Sequence, residues 1–397
     1  MAGMWKFGGK FGSLLLLGVV VVAGMSPWFA TAAALPDMVR EGAIGPARQA
    51  MLSSGVQAGF VIGALASAFL GLSDRFDPRR VMASAALLNA AATASLFLVP
   101  LGSDAAIALR VLTGAGFAGI YPPGMKIAVG WGVKDRGLLV GALVAALTLG
   151  SGAPHLVAFA GGADWRLVIV AVAVASLVAG LAAPLVRLGP HHARAPAFTP
   201  RVIALMWTDP RIRGATGGYL GHMWELYAMW GWISVAAASG YAAHLEGAEA
   251  ERLAALTAFL AIALGALLCA PAGWAADRMG KARVSAIGLA GSGLAALATA
   301  AAHGGPIWLS FGLILIWGAF VIPDSAQFSA MIADAAPPEV AGSLMTMQTA
   351  LGFALTIFTV QVAPLAAAAF GWPVTLAAMA AGPLFGLICL RPLLRRR

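Results

Sequence analysis

Long apolar runs separated by short polar intervals set the pattern of this chain. Runs near 13–35, 52–72, 80–100, 105–129, 137–160, 166–187, 214–240, 253–275, 284–302, 306–333, 341–365 and 372–391 each have about the 20 residues that a helix needs to cross a bilayer core. They predict twelve spanning helices, spans 1 to 12, and an all-α membrane protein. One interval stands apart: 188–213 is long, basic and Pro-containing, opening Leu188-Gly189-Pro190-His191-His192. It reads as a linker between a bundle of six helices at 1–187 and a second at 214–397.

The two bundles read as copies of one plan. Between spans 2 and 3 lies Asp74-Arg75-Phe76-Asp77-Pro78-Arg79-Arg80, and between spans 8 and 9 lies Asp277-Arg278-Met279-Gly280-Lys281-Ala282-Arg283. Trp28 in span 1 matches Trp230 in span 7, and Pro122 in span 4 matches Pro323 in span 10. Asp164-Trp165-Arg166 precedes span 6 as Gly371-Trp372-Pro373 precedes span 12. Repeated halves with the solute path between them are a common layout of secondary transporters.

Composition excludes a soluble domain: 60% of the 397 residues are hydrophobic and 10% are charged, against about 25% charged in globular proteins. The net charge of +9 gains its meaning from placement. Of the Lys and Arg residues, 19 fall in one set of intervals and at the termini, against Arg40, Arg48, Arg166 and Arg252 in the opposite set. That asymmetry predicts cytoplasmic termini and contact with membrane lipid, and excludes a nucleic-acid partner. The N-terminus imitates a secretory signal, but its apolar run is longer than a signal core and has a counterpart in the second half, so it reads as a retained span. Cys269 and Cys389 both sit in apolar runs, leaving no disulfide framework and no zinc site.

The duplicated loops resemble the signature of the major facilitator superfamily, in which Gly, three residues and Asp-Arg precede a further Gly and basic residues. Gly273, Asp277, Arg278, Gly280, Lys281 and Arg283 fit; the first copy departs, with Gly71 one place late and Asp77 where Gly is usual. Arg110-Val111-Leu112-Thr113-Gly114 resembles the family's second signature. The resemblance implies two six-helix bundles, alternating access and no enzymatic activity. It also implies a gating role for Asp74, Arg75, Arg79, Arg80, Asp277, Arg278, Lys281 and Arg283, whose charges would pair across helix ends in one state and part in another. Fixing topology by positive charge is the plainer alternative for the basic residues.

Polar groups at membrane depth are the candidates for chemistry, because an ionisable residue there costs at least ~2.5–3.5 kcal/mol on insertion scales. Glu225 lies roughly 16 Å into span 7 at about 1.5 Å per residue and is the expected proton-coupling residue. His222, Met229 and Trp232 share its face, which is expected to look into a wet cavity. Arg110 in span 4 is expected either to hold substrate or to pair with an acid. Trp28, Tyr121, Lys126, His155, His222, Trp232, Asp324 and Gln327 complete the expected substrate-binding set, with packing, interface anchoring or snorkelling as the alternative reading for each.

Two buried cations favour a small anion, a carboxylate or an oxyanion, while Glu225 and Asp324 offset them formally. The Tyr121-Pro122-Pro123-Gly124 texture is similar to the cyanate and nitrate porter branches, but spans 2 and 8 lack the arginines of nitrate porters. The predicted function is therefore secondary active transport of a small solute across a bacterial inner membrane, coupled to a proton or to sodium, by a monomer that needs no cofactor and no metal. A broken antiporter-like pattern at Gly141, Gly150 and Pro154 leaves open an efflux pump for apolar or cationic compounds. His222, Met223 and Met229 leave open copper import. No His-Glu-x-x-His, aspartate pair or serine triad points to an intramembrane enzyme, and no signalling domain to a sensor.

Overall fold

The computed structural model describes residues 9–71, 75–132, 135–161, 164–191 and 203–395. Among the described residues, eleven helices are long and apolar enough to cross a membrane: α1 (Lys10–Gly42), α2 (Pro46–Leu70), α3 (Pro78–Leu98), α4 (Asp104–Gly130), α5 (Gly137–Gly161) and α6 (Trp165–Leu185) form one half, and α8 (Gly247–Met279), α9 (Lys281–Ala302), α10 (Ile307–Ala335), α11 (Val340–Phe370) and α12 (Trp372–Leu394) belong to the other. The second half is completed by α7, Pro210–Tyr241. Its polar residues keep it from standing out by composition, yet most of its residues are buried. A helix buried by protein on nearly all sides can carry groups that lipid would not accept. The exterior is the reverse, with large apolar side chains such as Leu98, Leu181, Leu294 and Leu384 exposed. Such a continuous apolar surface suits hydrocarbon and not water.

Within the interval expected as a linker, 188–213, a short helix spans Ile203–Thr208, and Asp209 then caps α7 by accepting from the backbone N–H groups of Arg211 and Ile212. The helices also outrun the expected spans. They bring Arg48 into the start of α2, and Arg252 and Arg278 into the two ends of α8, so these helices do contain arginines, although at their ends and not at mid-membrane.

The duplicated loops solve one turn in two ways. Gly280 takes φ 93° between α8 and α9, a left-handed value open to glycine. In the first copy Gly71 supplies the positive φ, 62°, at the end of α2. Asp77, in the place usual for glycine, instead caps α3, accepting from Arg79 N–H at 2.9 Å. The Arg79 guanidinium, hydrogen-bonded to the same carboxylate, holds Asp77 below the usual carboxylate range.

Among the described residues four spanning helices are interrupted, α12 at Ala380 ahead of Pro383 and three others. In α1 the helix yields at Ser26-Pro27-Trp28-Phe29, in α4 at Ala118–Ile120 before Pro122, and in α10 at Ile322-Pro323-Asp324. Proline removes a ladder hydrogen bond at each place, which frees carbonyls for other partners. The breaks in α4 and α10 sit at matching points of the two halves, as the Pro122 and Pro323 spacing predicts.

The halves meet along α5 with α8 and α2 with α11. Among the described residues, the side-chain hydrogen bonds and ion pairs that join the halves lie at the end that is poor in Lys and Arg. Arg40 of α1 pairs with Glu251 of α8, and Arg252 donates to the Phe159 carbonyl at 3.1 Å while lying 5.0 Å over its ring. The basic end is tied within each half: Lys10 to Asp135, Arg79 to Asp77 and to the Val186 carbonyl, and Lys281 to Asp334.

Within the first half, α2 and α4 approach at backbone distance. A Cβ on Gly59 would lie 1.9 Å from the Val111 carbonyl oxygen, and one on Gly114 would lie 2.0 Å from that of Val56. Gly114→Ala must therefore push the helices apart and is expected to cost about 1–3 kcal/mol. Thermal unfolding of the purified protein checks this, and an unchanged Tm would show that the seam tolerates a methyl group.

Candidate functional site

Arg110 is fully buried in α4. Its Nη2 donates to the carbonyls of Pro27 at 3.0 Å and Trp28 at 2.7 Å, in the turn that breaks α1. Its Nε and Nη1 have no partner in the protein. A guanidinium has five N–H donors, so roughly three remain open at the centre of the molecule. No carboxylate among the described residues pairs with Arg110, so the expected alternative of an Arg110–Glu225 pair does not occur.

Glu225 is already occupied. Trp317 Nε1 of α10 donates to its Oε1 at 2.7 Å, and Ser292 Oγ of α9 donates to its Oε2 at 2.7 Å. Trp317 can only donate. Ser292 also has the Leu289 carbonyl at 3.3 Å, so its hydroxyl can turn to that carbonyl and accept from a protonated Glu225. The two partners therefore serve both charge states, one fixed and one reversible.

One turn earlier, His222 Nδ1 approaches Asp324 Oδ1 to 3.0 Å. That oxygen nonetheless lacks an aligned hydrogen bond, and His222 Nε2 has no partner among the described residues, so the contact is one of proximity. Asp324 sits at the break of α10, against Gly288 of α9. Phe328 and Tyr219 pack on the imidazole at 5.6 and 6.1 Å. The three titratable groups are thus brought together, as their types suggest. The direction they face differs from the expectation of a wet cavity: His222 and Glu225 point into their own bundle, toward α9 and α10. A buried acid is satisfied by donors, and here neighbouring helices supply them in place of water.

The face of α7 that meets the other half carries rings instead. Tyr227 lies 5.7 Å from Trp28 and 6.1 Å from Phe29, and Trp230 meets Phe29 edge-on at 6.0 Å. Trp28 stacks on Phe117 at 4.7 Å and touches Phe60 at 5.4 Å and Phe353 at 5.7 Å. Phe60 and Phe353 close the contact at 4.3 Å. Rings from both halves thus surround the place where Arg110 reaches α1, and such ring pairs are worth about 0.5–1.5 kcal/mol each beyond burial. The indole N–H groups of Trp28 and Trp230 have no acceptor.

The remaining candidates scatter. Trp232, expected among the substrate contacts, donates to the Val360 carbonyl at 2.8 Å and lies 6.5 Å from Trp372; it is packed between α7, α11 and α12. His155 is buried, with neither ring nitrogen partnered, one turn along α5 from Gly152, which abuts Ile262 of the other half. Tyr121 starts the second segment of α4, and Lys126 follows it half-buried. Gln327 is buried at the start of the second segment of α10.

Of the expected gating set, Asp74 lies outside the described residues. Arg75, Arg80, Asp277 and Arg283 are exposed. Arg278 lies 3.7 Å over the Trp274 ring, while Arg79 and Lys281 make the pairs given above. Sequence reasoning missed Ser292, Trp317, Tyr227 and Phe353. A serine in an Ala/Gly-rich span carries no signal, whereas Met223, Tyr227 and Trp230 share a helical face that the spacing alone could have shown.

A profile described as Major Facilitator Superfamily matches residues 15–271. A comparison with curated proteins finds no significant match. Among solved structures, the chain is similar to a point mutant of the nucleoside transporter NupG, with TM-score 0.75 and 13% identity over 96% of this chain and 100% of that one. It is also similar to a bacterial homologue of the human lysosomal transporter Spinster, captured inward-facing and occupied, with TM-score 0.75 and 14% identity over 97% and 96% of the two chains. The xylose transporter XylE from E. coli gives TM-score 0.72 and 11% identity over 95% and 96%. At these identities the structures establish the shared fold. With the profile spanning well over half of the sequence, the two bundles of broken helices around a buried polar centre are those of a known family of membrane transporters: the chain belongs to the Major Facilitator Superfamily.

Proposed function

We propose that this transporter moves a small anion across the bacterial inner membrane by alternating access, with a proton as the coupling ion. The observation that carries the reading is the charge balance of the buried groups. Glu225 has a donor on each oxygen and Asp324 has His222 beside it, whereas Arg110 has no acid among the described residues and keeps open donors. A cation left without a partner in a low-dielectric interior is strongly destabilised, and a bound anion is the counter-charge that removes this cost. A guanidinium suits carboxylates and oxyanions.

With the basic end in the cytoplasm, the ties at Arg40–Glu251 and Arg252–Phe159 hold the halves together on the outer side. The exit of solute then has to be matched by breaking exposed ion pairs, each worth only about 0–1 kcal/mol, so the barrier to opening the outer side rests mainly on the ring contacts. Those rings also favour a second reading, efflux of apolar or cationic compounds, in which the unpaired charge of Arg110 would repel a cation. The copper reading gains nothing, because the described residues hold no group of three or more His, Cys, Asp or Glu side chains able to bind a metal ion and Met223 packs where Tyr219 meets Gly352.

Two measurements test the proposal. Arg110→Gln is expected to weaken anion binding by roughly 10- to 100-fold, the loss of about 1.5–3 kcal/mol of charged hydrogen bonding. Arg110→Lys is expected to do nearly as much damage, since it keeps charge but cannot bridge the α1 carbonyls and an anion together. Full anion uptake by the glutamine variant in proteoliposomes would remove Arg110 from the site and favour efflux.

Glu225→Gln is expected to abolish accumulation driven by a pH gradient while keeping solute exchange. The amide can still accept from Trp317 and donate to Ser292, so it imitates the protonated acid and cannot cycle. Undiminished accumulation would move the coupling to Asp324 or to sodium.

A further inference from the structure

The contacts that must open to admit a solute also constrain what the solute is. If Arg110 holds the anion, it does so close to Trp28, because Nη2 of the same guanidinium bonds the Trp28 backbone carbonyl while Nε and Nη1 stay open. The indole of Trp28 joins ring contacts that cross between the halves: Trp28 with Tyr227 and Phe353, Phe29 with Tyr227 and Trp230, and Phe60 with Phe353. Placing anything at the free side of Arg110 parts several of these pairs. A bare oxyanion would bring its hydration water and leave the ring faces facing polar ligand, so each parted pair would be lost outright. A flat apolar body replaces ring against ring with ring against ligand, and the separation then costs little.

The lining has a second property. Tyr227 stands among these rings, and the indole N–H groups of Trp28 and Trp230 are buried there without acceptors among the described residues. Rings with polar tips suit a ligand that is apolar on its faces and an acceptor at its edge. The surrounding bundle, by contrast, is built mainly of Ala, Gly, Leu and Val.

From this we infer that the solute is a carboxylate borne on a flat apolar body about the size of one aromatic ring. Its carboxylate lies on Nε and Nη1 of Arg110, and its ring lies between Trp28 and Phe117 of one half and Tyr227 and Phe353 of the other. This deepens the anion reading and rests on it.

Thermal unfolding of the purified full-length protein separates the two, because a ligand of the folded state raises Tm with its concentration. The probes are benzoate, cyclohexanecarboxylate, acetate, nitrate, benzylamine and benzyl alcohol. Benzoate is expected to raise Tm at concentrations about tenfold or more below those at which acetate or nitrate acts, a difference of one decade in affinity, with no shift from benzyl alcohol or benzylamine. Acetate or nitrate acting as well as benzoate would overturn the ring inference and leave the anion reading standing. A response to benzylamine without one to benzoate would overturn both, and so would silence toward all six probes. Cyclohexanecarboxylate matching benzoate would show that an apolar body of this size suffices and that the flat shape does not matter, which overturns that part. Phe353→Leu keeps an apolar side chain on α11 and is expected to shrink the preference for benzoate over acetate; an unchanged preference in the folded variant would remove the ring cluster from recognition.

Discussion

The bond between the Arg110 guanidinium and the two carbonyls of the α1 break holds the centre of this protein together. Proline at position 27 cannot donate to the Ala23 carbonyl, which Ser26 meets instead, and in the turn that follows Arg110 donates to the carbonyls of Pro27, which also has the Ala30 N–H at 3.4 Å, and of Trp28. Arg110 reaches them because α4 lies against α2 at backbone distance, with Gly59 and Gly114 at the contact. The break, the close seam and the buried cation therefore depend on one another. Without the arginine the Trp28 carbonyl would lose its side-chain donor, and the Pro27 carbonyl would keep only the long bond from Ala30 N–H.

Charge is sorted into two regimes. At the ends, ion pairs such as Arg40 with Glu251 and Lys281 with Asp334 are partly exposed and screened, so they bias states without fixing them. In the core, Glu225, Asp324, His222 and Arg110 are almost wholly removed from water, and every missing partner is costly. The acidic groups are gathered inside the second half, against α9 and α10, while the cation lies in the first half at the surface between them. Between them runs α7, which carries Glu225 on the side toward α9 and α10 and Tyr227 on the side toward Trp28 and Phe29.

That division puts the acid and the inter-half rings on two faces of one helix. The helix is unbroken over Pro210–Tyr241, so Glu225 and the ring face belong to one continuous element. Ser292 and Trp317 define how the hydrogen bonds of Glu225 can change: one partner can reverse its hydrogen bond and the other cannot. A rigid element with a two-state contact on one face and the inter-half rings on the other meets the physical requirement for linking protonation to a shift between conformations.

The sequence by itself determined the membrane class, the count of spans, the duplicated plan and the points where α4 and α10 break, because each of these follows from local rules: length of apolar runs, charge at their ends and proline at fixed offsets. It also marked Arg110, Glu225, His222 and Asp324, since ionisable residues at membrane depth are conspicuous in any order of folding. Which way those groups point was decided only by tertiary packing. Helical spacing shows that His222 and Glu225 share a face, but whether that face meets a cavity or a neighbouring bundle depends on α9 and α10, which supply Ser292 and Trp317 from 67 and 92 residues further along the chain. The pairing of Trp232 with a carbonyl of α11 and the meeting of Trp28 with Tyr227 and Phe353 were invisible for the same reason: a hydrogen bond or ring contact between distant helices leaves no local period to read.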